Sequence, residues 1–267
     1  MQVLRHKTSR FKDNGVFAAE YNLAVEELLE IFIDDWPYAV TMRLPGDDIN
    51  LAAGFCLTEG IIASRDDLVS IEHCEGTSGQ NRIIVRLDRN RANQGKCLER
   101  HAQYVSKSSC GICGRSRAEE IYSELRPMET FRQIHLSEVL GLRDLFETRQ
   151  AVFHLTGSTH SASIFSRGKE LLAFAEDIGR HNALDKAIGA LVLQSKMREA
   201  FLAIVSSRLS FEMVQKAGVL GIEVLSGLSA PTSMAVTMAD QLNITLIGFL
   251  RENSMSIYTH PERILSS

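Results

Sequence analysis

Residues 201–250 read FLAIVSSRLSFEMVQKAGVLGIEVLSGLSAPTSMAVTMADQLNITLIGFL, and the rhythm of this stretch decides the fold class. Residues 201–206 predict a buried strand, 210–217 carry apolar side chains at helical spacing, and 222–225 return to a strand. Residues 232–242 predict a second helix and 244–250 a final strand. Helices and strands that alternate through short loops are the signature of βαβ units and a largely parallel sheet with right-handed crossovers. Upstream, residues 182–197 predict a further helix, and 161–165 and 171–175 two strands about an Arg167-Gly168 turn. Residues 152–155 read as another strand, and residues 137–148 as a helix with Ser137 at its N-cap.

The first half reads as hairpins joined by a helix. Residues 27–33 and 38–44 resemble two strands about the acidic turn Asp34-Asp35. A helix over 47–59 follows, with Gly60 suited to its C-terminal end. Residues 68–74 and 82–87 predict a second hairpin, and 116–125 a helix. A boundary near residues 128–133 divides the chain into an α+β, hairpin-rich part over 1–130 and an α/β part over 131–267.

Composition narrows the function classes. The chain has 267 residues, enough to bury a substantial core. Its 29 Lys and Arg against 33 Asp and Glu leave a net charge of −4. That balance offers no broad basic field for nucleic acid. No run approaches the roughly 18 apolar residues of a membrane span. The first fifteen residues lack an apolar signal-peptide core, and five cysteines fit reduced thiols in the cytoplasm.

The sharpest local feature is Ser108-Ser109-Cys110-Gly111-Ile112-Cys113-Gly114-Arg115. Small neighbours let a bulky partner approach either sulfur, and Lys107, Arg115 and Arg117 favour the thiolate, the species that attacks sulfur or binds metal. Three readings stay open on spacing alone. One is a sulfur carrier or redox thiol. Another is zinc, with Cys97 and His101 completing a set with Cys110 and Cys113. The third is an unremarkable loop. Cys56 and Cys74 read as small core residues.

Further polar segments fall at the ends of predicted strands. Thr156, Gly157 and Ser158 open a hydroxyl-rich loop expected to lie between two strands. Gly179, Arg180 and His181 open a helix, where a glycine, a guanidinium and an imidazole suit an anionic ligand. The loops Ser206 to Ser210, containing Arg208, and Ser226 to Ser233 follow strands of the βαβ region. Phe249, Leu250, Arg251, Glu252, Asn253 and Ser254 follow the last strand. Open α/β sheets bind ligands at the carboxyl ends of their strands, so the convergence of five such segments predicts an anionic, nucleotide-like ligand. Gly-x-Ser-x-Gly, the Walker-type phosphate loop and the zinc deaminase signature are all absent.

Taken together, these segments resemble the formate dehydrogenase accessory sulfurtransferases. The stretches that carry the resemblance are LAAGFCLTEGII (51–62), SSCGICG (108–114), TGSTHSASIF (156–165) and EDIGRHNALDKA (176–187). VSSRLSFE (205–212), GLSAPTSMAVTM (227–238) and GFLRENSMSIYTHPERI (248–264) complete them in family order. The resemblance implies a cytidine-deaminase-like mixed sheet with flanking helices in the C-terminal part, without deaminase zinc chemistry.

The resemblance also implies a cytoplasmic homodimer that takes sulfur from a cysteine desulfurase as a persulfide. The sulfur passes to bis-molybdopterin guanine dinucleotide, carrying molybdenum or tungsten, for formate dehydrogenase. Carried over by position, Cys110 bears the persulfide, Cys113 supports it, and Phe249 to Ser254 contact the cofactor. Arg180, Arg208 and Arg251 are expected to offset its pyrophosphate charge, with Gly179, His181, Thr156, Gly157 and Ser158 as further contacts. Two rivals remain: a cofactor-binding chaperone with the structural zinc described above, and a thiol-disulfide oxidoreductase.

Overall fold

The computed structural model describes residues 1–13, 15–74, 81–88 and 125–266. It opens with a hairpin of two ten-residue strands, β1 (Val3–Lys12) and β2 (Gly15–Ala24), paired along their whole length. The sequence reading assigns no element here. Both faces of the hairpin mix charged and apolar residues and stay largely exposed, so the period-two contrast that marks a half-buried strand is missing.

β3 (Glu27–Ile33) and β4 (Trp36–Arg43) form the expected hairpin, turning at Asp34, whose φ is +53°. Asp tolerates that left-handed conformation better than most residues. Helix α1 (Asp48–Thr58) follows where helical spacing placed it. β5 (Leu68–His73) and β6 (Arg82–Leu87) pair antiparallel as expected, and β6 joins β3 in parallel to give the order β4-β3-β6-β5. Cys97, His101, Cys110 and Cys113 lie outside the described residues, as does all but the last residue of the helix expected over 116–125.

The remainder begins with β7 (Ile134–His135), α2 (Leu136–Thr148) and α3 (Ala151–Thr156). Then come β8 (His160–Ser166), β9 (Leu171–Asp177), α4 (Arg180–Leu193) and β10 (Ala200–Val205). α5 (Phe211–Leu220), β11 (Val224–Gly227), α6 (Ser233–Gln241) and β12 (Thr245–Gly248) continue the alternation. Short strands β13 (Ser256–Ile257) and β14 (Ile264–Leu265) finish the chain.

Two expectations need correction. The six-stranded sheet, ordered β13-β12-β11-β10-β8-β9, is mixed rather than largely parallel. β10, β11 and β12 are parallel, while the β8–β9 hairpin and β13 join them antiparallel. Residues 152–155 form helix α3, not a strand. Val152 and Phe153 have the β-branched and aromatic bias of a strand, yet the Glu176 carboxylate accepts the backbone N–H groups of both at 2.9 and 2.8 Å. That cap comes from a distant strand, so no local pattern announces it. α2 also starts slightly before Ser137, with His135 at its N-cap.

One continuous apolar core joins the two halves. Leu29, Ile31, Ile83 and Val85 of the four-stranded sheet share it with α1, α4 and one face of the six-stranded sheet. A second cluster, containing Val139, Phe146, Phe165, Ile204 and Ile247, packs α2 on the opposite face. α1 and α4 cross at two glycines. A Cβ on Gly54 would lie 1.9 Å from the Asp185 carbonyl oxygen, and one on Gly189 1.8 Å from that of Asn50. Beside the crossing, Lys216 donates to both Asp185 oxygens at 3.0 and 2.8 Å and to the Thr58 hydroxyl at 2.8 Å. Buried charges survive only when paired and hydrogen-bonded in this way.

Among the described residues, no helix is long and apolar enough to cross a membrane.

Candidate functional site at the carboxyl edge of the sheet

The topology brings the five polar segments to one edge. β10, β11 and β12 all end there, and the loops that follow are laced together. Leu228 N–H donates to Val205 O at 3.0 Å, Leu250 N–H to Gly227 O at 3.1 Å, and Phe249 N–H to Ser229 O at 3.2 Å. Because β8 is antiparallel to β10, its first residues lie at the same edge, and His160 pairs with Asp177 at the end of β9. Helices α4, α5 and α6 therefore all start at this edge, with their N-terminal partial positive charge toward it.

A cleft of about 490 Å³ opens here on the α2 side of the sheet. Gln150, Phe153, His154, Gly157, Ser158 and Thr159 form its outer wall, with Glu147 beside them, and His160, Ser206 and Leu228 line the sheet side. Gly157 caps α3 in the left-handed region at φ +67°, which a side chain would resist. The Ser206 hydroxyl accepts the Ser161 N–H at 2.9 Å and lies 3.2 Å from His160 Nδ1, tying the β8 and β10 ends together. Gln150 is 4% exposed, and its side-chain amide nitrogen has no hydrogen-bond partner among the described residues. A buried donor left unspent is costly unless something meets it.

Cations gather around His160. Burial pushes its imidazole below the ordinary range, and Arg180 and Arg208 push it further, against Asp177. His181 falls to about 4, first through burial and then through Lys216 and Arg180, with Glu212 opposing. Both imidazoles are therefore neutral at physiological pH, and the positive potential at the edge belongs to the guanidiniums and helix termini. A neutral buried His181 also has a stability consequence. Its folded value of about 4 lies below the unfolded value, so the unfolded chain binds the extra proton and stability falls as pH drops through that window. Comparing urea midpoints at about pH 7 and about pH 5, His181→Gln should lose less stability than wild type, by about 2 kcal/mol.

The sequence-predicted residues have distinct placements. Gly157 and Ser158 line the cleft, whereas the Thr156 hydroxyl turns back to Val152 O at 2.8 Å. The segment holding Thr156 runs from a helix into a strand, not between two strands. Gly179 donates its N–H to Asp177 at 2.9 Å and sets the start of α4. Arg251 donates from Nη1 to the carbonyls of Leu228 and Leu250, which ties the segment after β12 to the cleft wall. Leu250 is buried in the core, while Phe249 is exposed and held at φ +50°. Glu252, Asn253 and Ser254 are exposed, and Arg251 N–H donates to Ser254 O at 2.8 Å. Cys56 is buried, as expected, and Cys74 is half-buried.

Sequence reasoning singled out neither Gln150 nor Phe153. A strand reading of residues 152–155 hides which side chains share the α3 face, and Gln150 carries no signal of its own.

Comparison with known proteins agrees with this architecture. Residues 24–265 match the model of the FdhD/NarQ family. A protein of Sulfolobus acidocaldarius named sulfur carrier protein FdhD is 39% identical over 266 residues, covering 99% of each chain. Its namesake in Mycolicibacterium paratuberculosis is 40% identical over 274 residues, covering 99% of this chain and 100% of its own. A crystal structure from Desulfotalea psychrophila, described as a candidate formate dehydrogenase accessory protein, superposes with a TM-score of 0.80 at 22% identity. The match covers 99% of this chain and 100% of that one. With a family match from residue 24 to residue 265 and full-length relatives near 40% identity, this chain belongs to the FdhD/NarQ family.

Proposed function

We propose that the protein is a sulfur carrier that receives sulfur as a Cys110 persulfide and delivers it to a guanine dinucleotide form of the molybdenum or tungsten cofactor. The observation that carries the reading is the sheet edge, where three helices start, Arg180 and Arg208 lie near enough to His160 to act on its charge, and the cleft that His160 lines also holds the unspent Gln150 donor. That setting suits an anionic nucleotide. The names of the full-length relatives support the sulfur-carrying half of the proposal.

In the loading step the Cys110 thiolate attacks the terminal sulfur of the desulfurase persulfide. The new S–S bond forms as the old one breaks, and the desulfurase cysteine leaves as a thiolate. Cys113 supports the exchange. The cofactor is the cargo's acceptor, held with its phosphates toward Arg180, Arg208 and the start of α4. Thr156, Gly157, Ser158, Gly179, His181 and the residues Phe249 to Ser254 are read as its further surroundings. We read the six-stranded sheet and its helices as deaminase-like, residues 1–130 and 131–267 as the two parts, and the working form as a cytoplasmic homodimer serving formate dehydrogenase.

The test is native mass spectrometry after incubation with a cysteine desulfurase and cysteine. The proposal expects a gain of one sulfur-atom mass mapping to Cys110. A bound zinc mass with no added sulfur would favour the chaperone held together by Cys97, His101, Cys110 and Cys113. The two halves of the function also separate by mutation. Arg180→Ala should weaken guanosine diphosphate binding by roughly tenfold, the worth of one charge-assisted contact, while sulfur loading proceeds. Loss of loading with full nucleotide affinity would refute that division.

A further inference from the structure

Glu176 and Asp177 are consecutive on β9, so their side chains leave the sheet on opposite faces. Each carboxylate gathers backbone groups from a different wall of the site. Asp177 is buried at 0% exposure. It accepts the N–H of Gly179 at 2.9 Å and the side-chain amide of Asn182 at 3.1 Å, which fixes the start of α4. It also accepts the N–H of Leu44 at 3.1 Å and pairs with Lys186 at 2.8 Å. The need to satisfy a fully buried charge explains this set.

Glu176 is different. It is only half-buried and forms no ion pair among the described residues, yet it makes three bonds to one short segment. Its Oε2 accepts the Val152 N–H at 2.9 Å, and its Oε1 accepts the Phe153 N–H at 2.8 Å and the Thr159 hydroxyl at 3.0 Å. The first two are orphan donors at the N-terminus of α3, which has no side-chain cap of its own. The third lies beyond its C-terminal glycine. A single carboxylate thus spans α3 and holds both of its ends, and between those ends sit Phe153, His154, Gly157 and Ser158, which form the outer wall of the cleft.

We propose that Glu176 is a positioning residue for the cleft. It touches no ligand itself, and it sets the width and shape of the pocket by clamping the α3 wall against β9. This inference rests on the nucleotide reading of the cleft given above. The clamp has a graded chemistry that a general stabilising contact lacks. Glu176→Gln keeps one acceptor oxygen and turns an amide NH2 toward the other donors, so it retains part of the clamp. Glu176→Ala retains none, and Thr159→Val removes one bond of three while leaving the carboxylate in place.

Two readouts on the full-length protein test the assignment. They are guanosine diphosphate affinity by calorimetry and hydrogen exchange at the Val152 and Phe153 amides. Exchange should quicken in the order wild type, Gln, Ala. Nucleotide affinity should fall in the same order, by roughly tenfold or more for Ala, because ångström-scale misplacement of contacting groups costs up to about a hundredfold. Thr159→Val should shift both readouts in the same direction by a smaller factor, and it keeps the test valid if Glu176→Ala does not fold. Faster exchange with unchanged affinity would show a structural cap only and overturn the proposal. No nucleotide binding by wild type would instead remove the cleft reading, and this inference with it.

Discussion

Cys110→Ala should show no sulfur-mass gain after incubation with desulfurase and cysteine, while its affinity for guanosine diphosphate stays within about twofold of wild type. The argument is chemical. Only a thiolate can accept the terminal sulfur of a persulfide, and alanine supplies no nucleophile in its place. The effect is therefore all or none. Cys113→Ala should fall between, keeping a measurable fraction of the loading, because the neighbouring thiol supports the exchange without holding the cargo. The proposed nucleotide site rests on Gln150 of the cleft, on Arg180 and Arg208 near His160, and on the helix starts, none of which the substitution alters. Equal and complete loss in both variants, together with loss of a bound zinc, would move the pair from a carrier to a structural metal site. A reversible Cys110–Cys113 disulfide with no sulfur gain would point to a thiol-disulfide oxidoreductase.

Gly189→Ala should be among the most destabilising Gly-to-Ala changes at the described glycines. The added carbon would meet Asn50 O at 1.8 Å and Gly54 N at 2.7 Å. Both are backbone atoms of α1, so no side chain can swing aside, and the two helices must separate. Overpacking of a core usually costs about 1–3 kcal/mol and more when backbone has to move. A loss of about 3 kcal/mol or more is expected, a large share of the total stability of a domain. Gly141 supplies the control. It lies within α2 with nothing within 4 Å of its would-be Cβ. Gly141→Ala should therefore raise stability by about 0.5–1 kcal/mol through helix propensity. Urea midpoints for the two variants should move in opposite directions.

Much of the architecture is legible before any coordinates. The strand at residues 201–205 is an unbroken apolar run, that at 222–225 is apolar but for Glu223, and Gly221, at φ +84°, ends α5 between them. What escaped depends on partners remote in sequence. α3 is helical because of Glu176, which follows it by more than twenty residues, and its own composition favours a strand. The β1–β2 hairpin escaped for the opposite reason. Ten ladder pairs support it, and no buried face stamps a pattern on its residues. At the candidate site, the loops at strand ends were readable because polar, glycine-bearing segments follow apolar runs. Gln150 was not, since its importance lies in a buried donor with no partner among the described residues. The mixed sheet followed from the family resemblance but not from the alternation of elements, which does not by itself show that β8 and β9 join antiparallel.

The glycine crossing of α1 on α4 also shapes how the chain must be made. α1 is complete at residue 58, but the helix it docks on ends only at residue 193. At typical synthesis rates that interval lasts on the order of ten seconds on the ribosome. Throughout it, Leu51, Ala52, Ala53 and Cys56 emerge without the α4 surface that later covers them. Apolar surface exposed in this way during synthesis is prone to aggregate until its partner helix arrives. The same topology makes folding slow after release, because the contact that closes the core joins segments far apart along the chain.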